Sequence, residues 1–290
     1  MDRNHKLSQV LCLALAAIAI AAFLSGCGQR LPVADKAGES AEAPKASATS
    51  VPLDPRLHEP FADATTDPPA EWHRPPDTTL TQKSVGKLYT DVVRAWDDIH
   101  FVSPTGKRVA YRATLDTELG AVEIDLLPEL APNHVRSFVA LARAGYYDGL
   151  VFDRTVHQEV TGRPDARVEY IEAGCPLGTG EAGYGSIGYW LKPEFNSQAP
   201  HDEGAVGATH GEETDVSACK FYINLSKSAD MDDNYTIFGK VTSGLSIARN
   251  ILALPVRHDS EFPEGDRPVK PVVIRKVTIR TEEIDPPKTQ

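Results

Sequence analysis

The side chains able to do covalent or metal chemistry are few and scattered in this 290-residue chain. Cysteines stand at 12, 27, 175 and 219, and His134, His157 and His201 show no ligand spacing. There is no pair of CxxC motifs and no HExxH, so neither a structural nor a catalytic metal centre is indicated. A hydrolase would need a nucleophile and a base at matching motifs, and neither is found. His210, in GATHGEETDVSA, reads as a surface-loop histidine, and Glu212, Glu213 and Asp215 as a solvated acidic stretch. What remains is Cys219 to Val241, CKFYINLSKSADMDDNYTIFGKV. Phe221 to Asn224 reads as a buried strand, SKSADMDDN supplies breakers and charge, and Tyr235 to Val241 reads as a second strand closed by Thr242, Ser243 and Gly244.

Several elements must hold these strands. Lys83 to Asp98 spaces Val85, Leu88, Val92 and Trp96 as one face of a short amphipathic helix that packs on the domain. Tyr111 to Asp116 and Ala121 to Leu127 form a hairpin through Glu118, Leu119 and Gly120, with Val122, Ile124 and Leu126 alternating against Glu123 and Asp125. Pro132 starts a helix through Ala144 with Val135, Phe138, Val139 and Ala142 on one face. A second helix runs from Leu245 to Leu254 and stops at Pro255, and Val272 to Arg280 ends the domain as a strand. This pattern fits either a closed antiparallel barrel or an α+β sandwich. A formal net charge of −11 argues against a phosphate-backbone partner, which would need clustered Lys and Arg.

Three further stretches narrow the choice: AGYYDGLVFDR at Ala144 to Arg154, GCPLGTGEAGYG at Gly174 to Gly185, and KPEF at Lys192 to Phe195. With CKFYI and MDDNYTIFG, they resemble in order and rough spacing the cyclophilin-type peptidyl-prolyl isomerases, whose pattern is a phenylalanine-x-arginine strand, Q-G-G-D-x-x-G-x-G, E-F, S-Q-F-F-I and L-D-x-x-x-x-V-F-G. The resemblance implies a mainly β domain over 109–284, a closed antiparallel β-barrel capped by two α-helices. It implies catalysis without cofactor, metal or nucleophile. An X-Pro bond turns against an amide barrier of about 18–20 kcal/mol. A cation or donor near the prolyl nitrogen favours the twisted state, in which resonance is lost, while an apolar pocket fixes the ring. Arg154 matches the catalytic arginine. Phe221 matches an aromatic on the pocket floor, Tyr222 the next pocket aromatic, Met231 the pocket leucine and Tyr235 the pocket histidine.

Other positions depart from the family. Its paired apolar pocket residues fall on Glu169 and Tyr170, its two groove glutamines on Glu172 and Lys220, and a tryptophan before the LD turn on Asp230. The run HQEVTGRPDARVE at 157–169 is extra length, so a shifted register there could bring Val168 into the pocket instead. Because the two glutamines are neighbours in the family, Glu172 and Lys220 are expected to form an ion pair across the same floor. A carboxylate reaching Arg154 would neutralise the charge meant for the amide. The expected function is isomerisation of proline-containing exported polypeptides, and the alternative is a catalytically weak or inactive peptide-binding scaffold.

The N-terminus carries Arg3 and Lys6, an apolar run from Val10 to Leu24, then Ser25, Gly26 and Cys27, the form of an export signal. LSGC resembles the lipobox of bacterial lipoproteins, which makes Cys27 the lipidation site and places the protein outside the cytoplasm, anchored by lipid to a bacterial membrane. Cys175 and Cys219 then remain in the folded part as one candidate disulfide or as two buried thiols. The expected organisation is a signal peptide over 1–27, a Pro- and Ala-rich linker over 28–80 with Trp72 docking near its end, a helical extension over 81–108, the barrel, and a tail over 285–290. The whole is expected to be monomeric.

Overall fold

A hairpin of the expected kind starts the barrel: β2 (Arg108–Thr117) pairs with β3 (Gly120–Leu126), and Thr117 faces Gly120 across the turn. The Thr117 hydroxyl donates to the Gly120 carbonyl at 2.6 Å, and Gly120 takes φ +134°, so its lack of a side chain lets the turn close. This is a computed structural model, and it describes residues 57–66, 74–160, 162–163, 166–181, 185–210, 216–257 and 266–285.

The remaining strands are β4 (Val151–Glu159), β5 (Arg167–Ala173), β6 (Trp190–Leu191), β7 (Ala205–His210), β8 (Val216–Asn224), β9 (Ile237–Ser243) and β12 (Val272–Ile284). A separate ribbon pairs β10 (Val256–Arg257) with β11 (Arg267–Pro268). The strand order β8-β5-β4-β12-β2-β3-β9-β7 returns from β7 to β8, so eight antiparallel strands form a ring. A ring leaves no unpaired edge within it.

Two helices pack on this ring. α3 (Pro132–Arg143) lies against β8, β9 and β12, and α4 (Leu245–Leu252) against β3, β4 and β5. Proline at the first position of α3 costs no hydrogen bond, and the Glu194 carboxylate accepts from the helix-end amides of Asn133 (3.1 Å) and His134 (3.0 Å), which have no acceptor within the helix. Phe138 carries α3 into the core, where its ring meets Tyr147, Phe221 and Phe238 at 5.0, 5.6 and 5.5 Å.

α2 (Val85–Trp96) buries Val85, Leu88, Val92 and Trp96, the face read from the sequence. The linker expected through residue 80 is not uniform. Within it, α1 (Phe61–Ala64) leads into β1 (Thr65–Thr66), which pairs with β6. Phe61 wedges edge-on among Tyr89, Trp96 and Tyr189 at 5.9, 5.2 and 5.0 Å, and Trp96 Nε1 donates to the Glu59 carbonyl at 3.0 Å. One aromatic ring with three aromatic neighbours anchors a stretch whose average composition reads as unstructured. The signal peptide, Cys27, Trp72 and the tail beyond 285 lie outside the described residues. Among the described residues, no helix is long and apolar enough to cross a membrane.

Candidate functional site

Four strands put one residue each into a single row. Arg154 on β4 faces Glu172 on β5, Glu172 faces Tyr222 on β8, and Tyr222 faces Gly207 on β7. Residues directly opposed across a ladder share a face of the sheet, so this row lies on the outside of the ring. The β4–β5 ladder continues unbroken from Arg154–Glu172 out to Glu159–Arg167. The extra run therefore only lengthens the hairpin. Tyr170 and Glu172 keep the outer face, while Glu169 turns the other way, 3.3 Å from His157.

The row carries charge at one end. Arg154 Nη1 lies 3.5 Å from Glu172 Oε2, and Lys220 Nζ lies 2.5 Å from Glu172 Oε1. Lys220 also donates to the carbonyls of Gly180 and Glu181, both at 3.2 Å. Burial works against the Lys220 charge, but Glu172, Cys175 and Asp153 outweigh it and hold its pKa above the ordinary lysine value. Glu172 and Lys220 are buried, with side chains 1% and 2% exposed, whereas Arg154 keeps 12%. The expected ion pair is thus present, but both partners lie beneath the surface and support Arg154 rather than line the groove.

Aromatic rings occupy the other end. Tyr222 lies 5.4 Å from Tyr170 and 6.0 Å from Tyr235 between centroids, and His210 lies 4.1 Å from Tyr235. Met231 is buried in the 3₁₀ turn Ala229–Met231 that leads to Tyr235. Tyr222 is itself buried, and its hydroxyl needs a partner. His201 Nε2 supplies it at 2.8 Å, and Asp232 Oδ1 holds His201 Nδ1 at 2.9 Å and its backbone amide at 2.7 Å. Burial lowers the His201 pKa against the pull of Asp232, which leaves a neutral ring donating from Nδ1 to Asp232 and accepting the Tyr222 proton at Nε2. Burial raises the Tyr222 pKa well above its ordinary value, so the phenol stays intact. Gly207 makes room: a Cβ there would meet the Tyr222 hydroxyl at 2.2 Å.

Two expectations are corrected. Phe221, expected on the pocket floor, points into the barrel, where it packs on Phe138 and Tyr147. Successive residues of a strand face opposite sides, so Phe221 and Tyr222 cannot both line one groove. The candidate disulfide is absent: Cys175 and Cys219 are free, buried thiols. The Cys175 thiol turns to the Thr179 hydroxyl (3.5 Å) and the Cys219 thiol toward Tyr146. Burial raises the Cys175 pKa and pushes that of Cys219 up to about 12.

Sequence reasoning passed over His201, which the extra hydroxyl at Tyr222 could have pointed to. It also passed over Asp153, the one additional residue inserted into β4 where its register against β5 shifts. Asp153 is 1% exposed. Among the described residues, no cluster of histidine, cysteine, aspartate or glutamate could hold a metal.

The sequence matches a known family along most of the barrel. Residues 112–279, more than half of the chain, match the family described as cyclophilin type peptidyl-prolyl cis-trans isomerase/CLD. The peptidyl-prolyl cis-trans isomerase ppi1 of Schizosaccharomyces pombe is 33% identical over 162 residues, which are 56% of this chain and 94% of the yeast protein. A peptidyl-prolyl cis-trans isomerase-like 3 protein of Gallus gallus is 30% identical over 161 residues, 56% of this chain and 94% of its own. Among solved structures, a cyclophilin type peptidyl-prolyl cis-trans isomerase of Cryptosporidium parvum aligns with a TM-score of 0.48 and 21% identity, covering 60% of this chain and 99% of that one. The family match and the near-complete cover of these relatives lead to one conclusion: this chain belongs to the cyclophilin-type peptidyl-prolyl cis-trans isomerase family.

Proposed function

We propose that this protein isomerises X-Pro bonds in exported polypeptides, working from a lipid-anchored position on the extracytoplasmic face of a bacterial membrane. The observation that carries the catalytic part is the charge arrangement at Arg154. Glu172 reaches the guanidinium, but Lys220 lies closer to the same carboxylate. Because the Glu172 carboxylate is shared with Lys220, it orients Arg154 without giving its whole charge to the guanidinium. The partly exposed guanidinium stands at one end of a row that runs past Glu172 to the Tyr222 ring, where a prolyl ring would rest with its nitrogen toward the cation. As the amide twists, the nitrogen gains a lone pair that a nearby cation or donor stabilises, and each 1.36 kcal/mol of such differential stabilisation is tenfold in rate.

The decisive experiment measures cis–trans exchange of Ala-Pro peptides by exchange NMR on the full chain. Exchange above the uncatalysed rate, lost by about 100-fold or more in Arg154→Ala, supports the enzyme. Peptide binding with no added exchange overturns it. The anchoring part rests on the LSGC motif and the apolar run before it. Incorporation of labelled palmitate that disappears in Cys27→Ala supports it, and a soluble wild-type protein in the extracytoplasmic fraction overturns it.

One observation favours a second reading, a peptide-binding scaffold with little turnover. Tyr170 packs against Tyr222 with the two rings tilted and 5.4 Å between centroids, on the position where a prolyl ring would pack. Tyr170→Ala separates the two: a gain in exchange rate marks an enzyme restrained by its own ring, whereas a gain in binding alone marks a scaffold.

A further inference from the structure

Asp153 is a carboxyl group that the charge cluster does not use. It is 1% exposed, and neither of its oxygens has a hydrogen-bond partner of normal geometry among the described residues. Among the described residues, charged and titratable groups approach it from several elements. Arg154 follows it on β4, Glu172 stands on β5, Cys175 lies in the turn after β5, and Lys220 reaches in from β8. Gly180 backs the carboxyl, since a Cβ there would lie 3.5 Å from Oδ1. Lys220 is the obvious partner, but its ammonium donates to the carbonyls of Gly180 and Glu181 and pairs with Glu172. A buried carboxylate with no donor of normal geometry is costly, and the group escapes that cost by holding its proton.

We propose that Asp153 is a neutral carboxylic acid that tunes the field at the catalytic cluster: protonated, it adds no charge beside Arg154, Lys220 and Glu172, and ionised it adds one negative charge there. It is a positioning residue, acting on the amide only through Arg154. Burial first, and then Glu172, raise its pKa from the ordinary 3.8 to about 8, against the opposing pull of Lys220, the Cys175 amide and Arg154. Ionisation therefore falls just above neutrality, where it sets a negative charge beside the cation that would favour the twisted amide. The inference rests on the Arg154 mechanism, and its test has one readout independent of that mechanism.

The test compares wild type, Asp153→Asn and Cys175→Ser as full chains. Exchange NMR gives kcat/KM at pH 6.5 and at pH 9. Wild type and Cys175→Ser are expected to fall fivefold or more between the two, and Asp153→Asn to stay within twofold. An equal fall in Asp153→Asn, or none in wild type, overturns the proposal. A fall abolished by Cys175→Ser reassigns it to the thiol and equally overturns it. The second readout is thermal stability. Because the folded pKa lies above the unfolded one, the unfolded state releases this proton first, and wild-type stability declines as pH rises from about 4 to about 8. The melting temperature of Asp153→Asn relative to wild type should therefore climb across that window and level off above it. A flat difference overturns the neutral acid. If the climb is present while Arg154→Ala retains activity, the acid stands and the arginine mechanism falls.

Discussion

Lys220 Nζ lies 2.5 Å from one oxygen of Glu172, and Arg154 Nη1 lies 3.5 Å from the other, so a single buried carboxylate is shared unequally between two cations. The order of these distances decides whether the arginine keeps its charge for substrate.

Lys220→Met should reverse that order. Glu172 would then pair with Arg154 alone, and kcat/KM should drop at least tenfold. Removing one partner from a buried pair also destabilises, by about 3–5 kcal/mol, which urea denaturation reads. Glu172→Gln with Lys220→Gln replaces both charges at once and should recover most of the stability. An unchanged kcat/KM in Lys220→Met would show that Arg154 does not depend on the balance.

The phenol chain behind the pocket is separately testable. Tyr222→Phe strands His201 Nε2 in the interior, and leaving a buried polar group unpaired costs about 1–3 kcal/mol. His201 is held neutral, with its pKa below the ordinary 6.5. Below that value the unfolded chain takes up a proton that the folded chain refuses, so stability is highest above pH 6.5 and declines as pH falls. His201→Gln should flatten this acid slope in denaturation curves taken from pH 7 to 5, and a slope unchanged by the substitution would exclude His201 as its source.

Gly207→Ala should be among the most damaging single-methyl changes in the chain. The added carbon would sit 2.2 Å from the Tyr222 hydroxyl and 2.3 Å from its ring, and overpacking of this kind costs about 1–3 kcal/mol. A melting temperature within a degree of wild type would mean that the ring has space to move that the row does not reveal.

Phe61→Ala should loosen the segment before the barrel without unmaking the ring. Phe61 is only partly covered, so a loss of about 2–3 kcal/mol is expected, below the range for a wholly buried phenylalanine. Limited proteolysis should show new cleavage near residues 57–66 while the barrel fragment persists, and cleavage unchanged from wild type would mean the ring does not anchor the segment.

Much of this was legible before any coordinates. The β2–β3 hairpin and the buried face of α2 follow from periodicity, whereas α3 is buried on every side from Pro132 to Ala142, which a one-sided pattern does not show. Arg154, Tyr170 and Glu172 could be placed through motif spacing, since the ladder that carries them runs without interruption from the row to the hairpin tip. Phe221 was assigned to the wrong side because motif matching ignores the alternation of a strand. Asp153 was invisible for a different reason. Its surroundings arise from a register shift and from side chains on β4, β5 and β8, which no local pattern encodes. His201 and Phe61 were missed because each sits in a segment whose average composition reads as loop, and a single buried contact does not change an average.

The row from Arg154 through Glu172 and Tyr222 to Gly207 also bears on which insertions and deletions the gene could tolerate. Adding one residue inside β5 or β8 would swing every later side chain to the opposite side, sending Glu172 or Tyr222 into the hydrocarbon interior and bringing Ile171 or Phe221 out. Length added at the far tip of the β4–β5 hairpin leaves that parity intact, and that is where this chain carries its surplus.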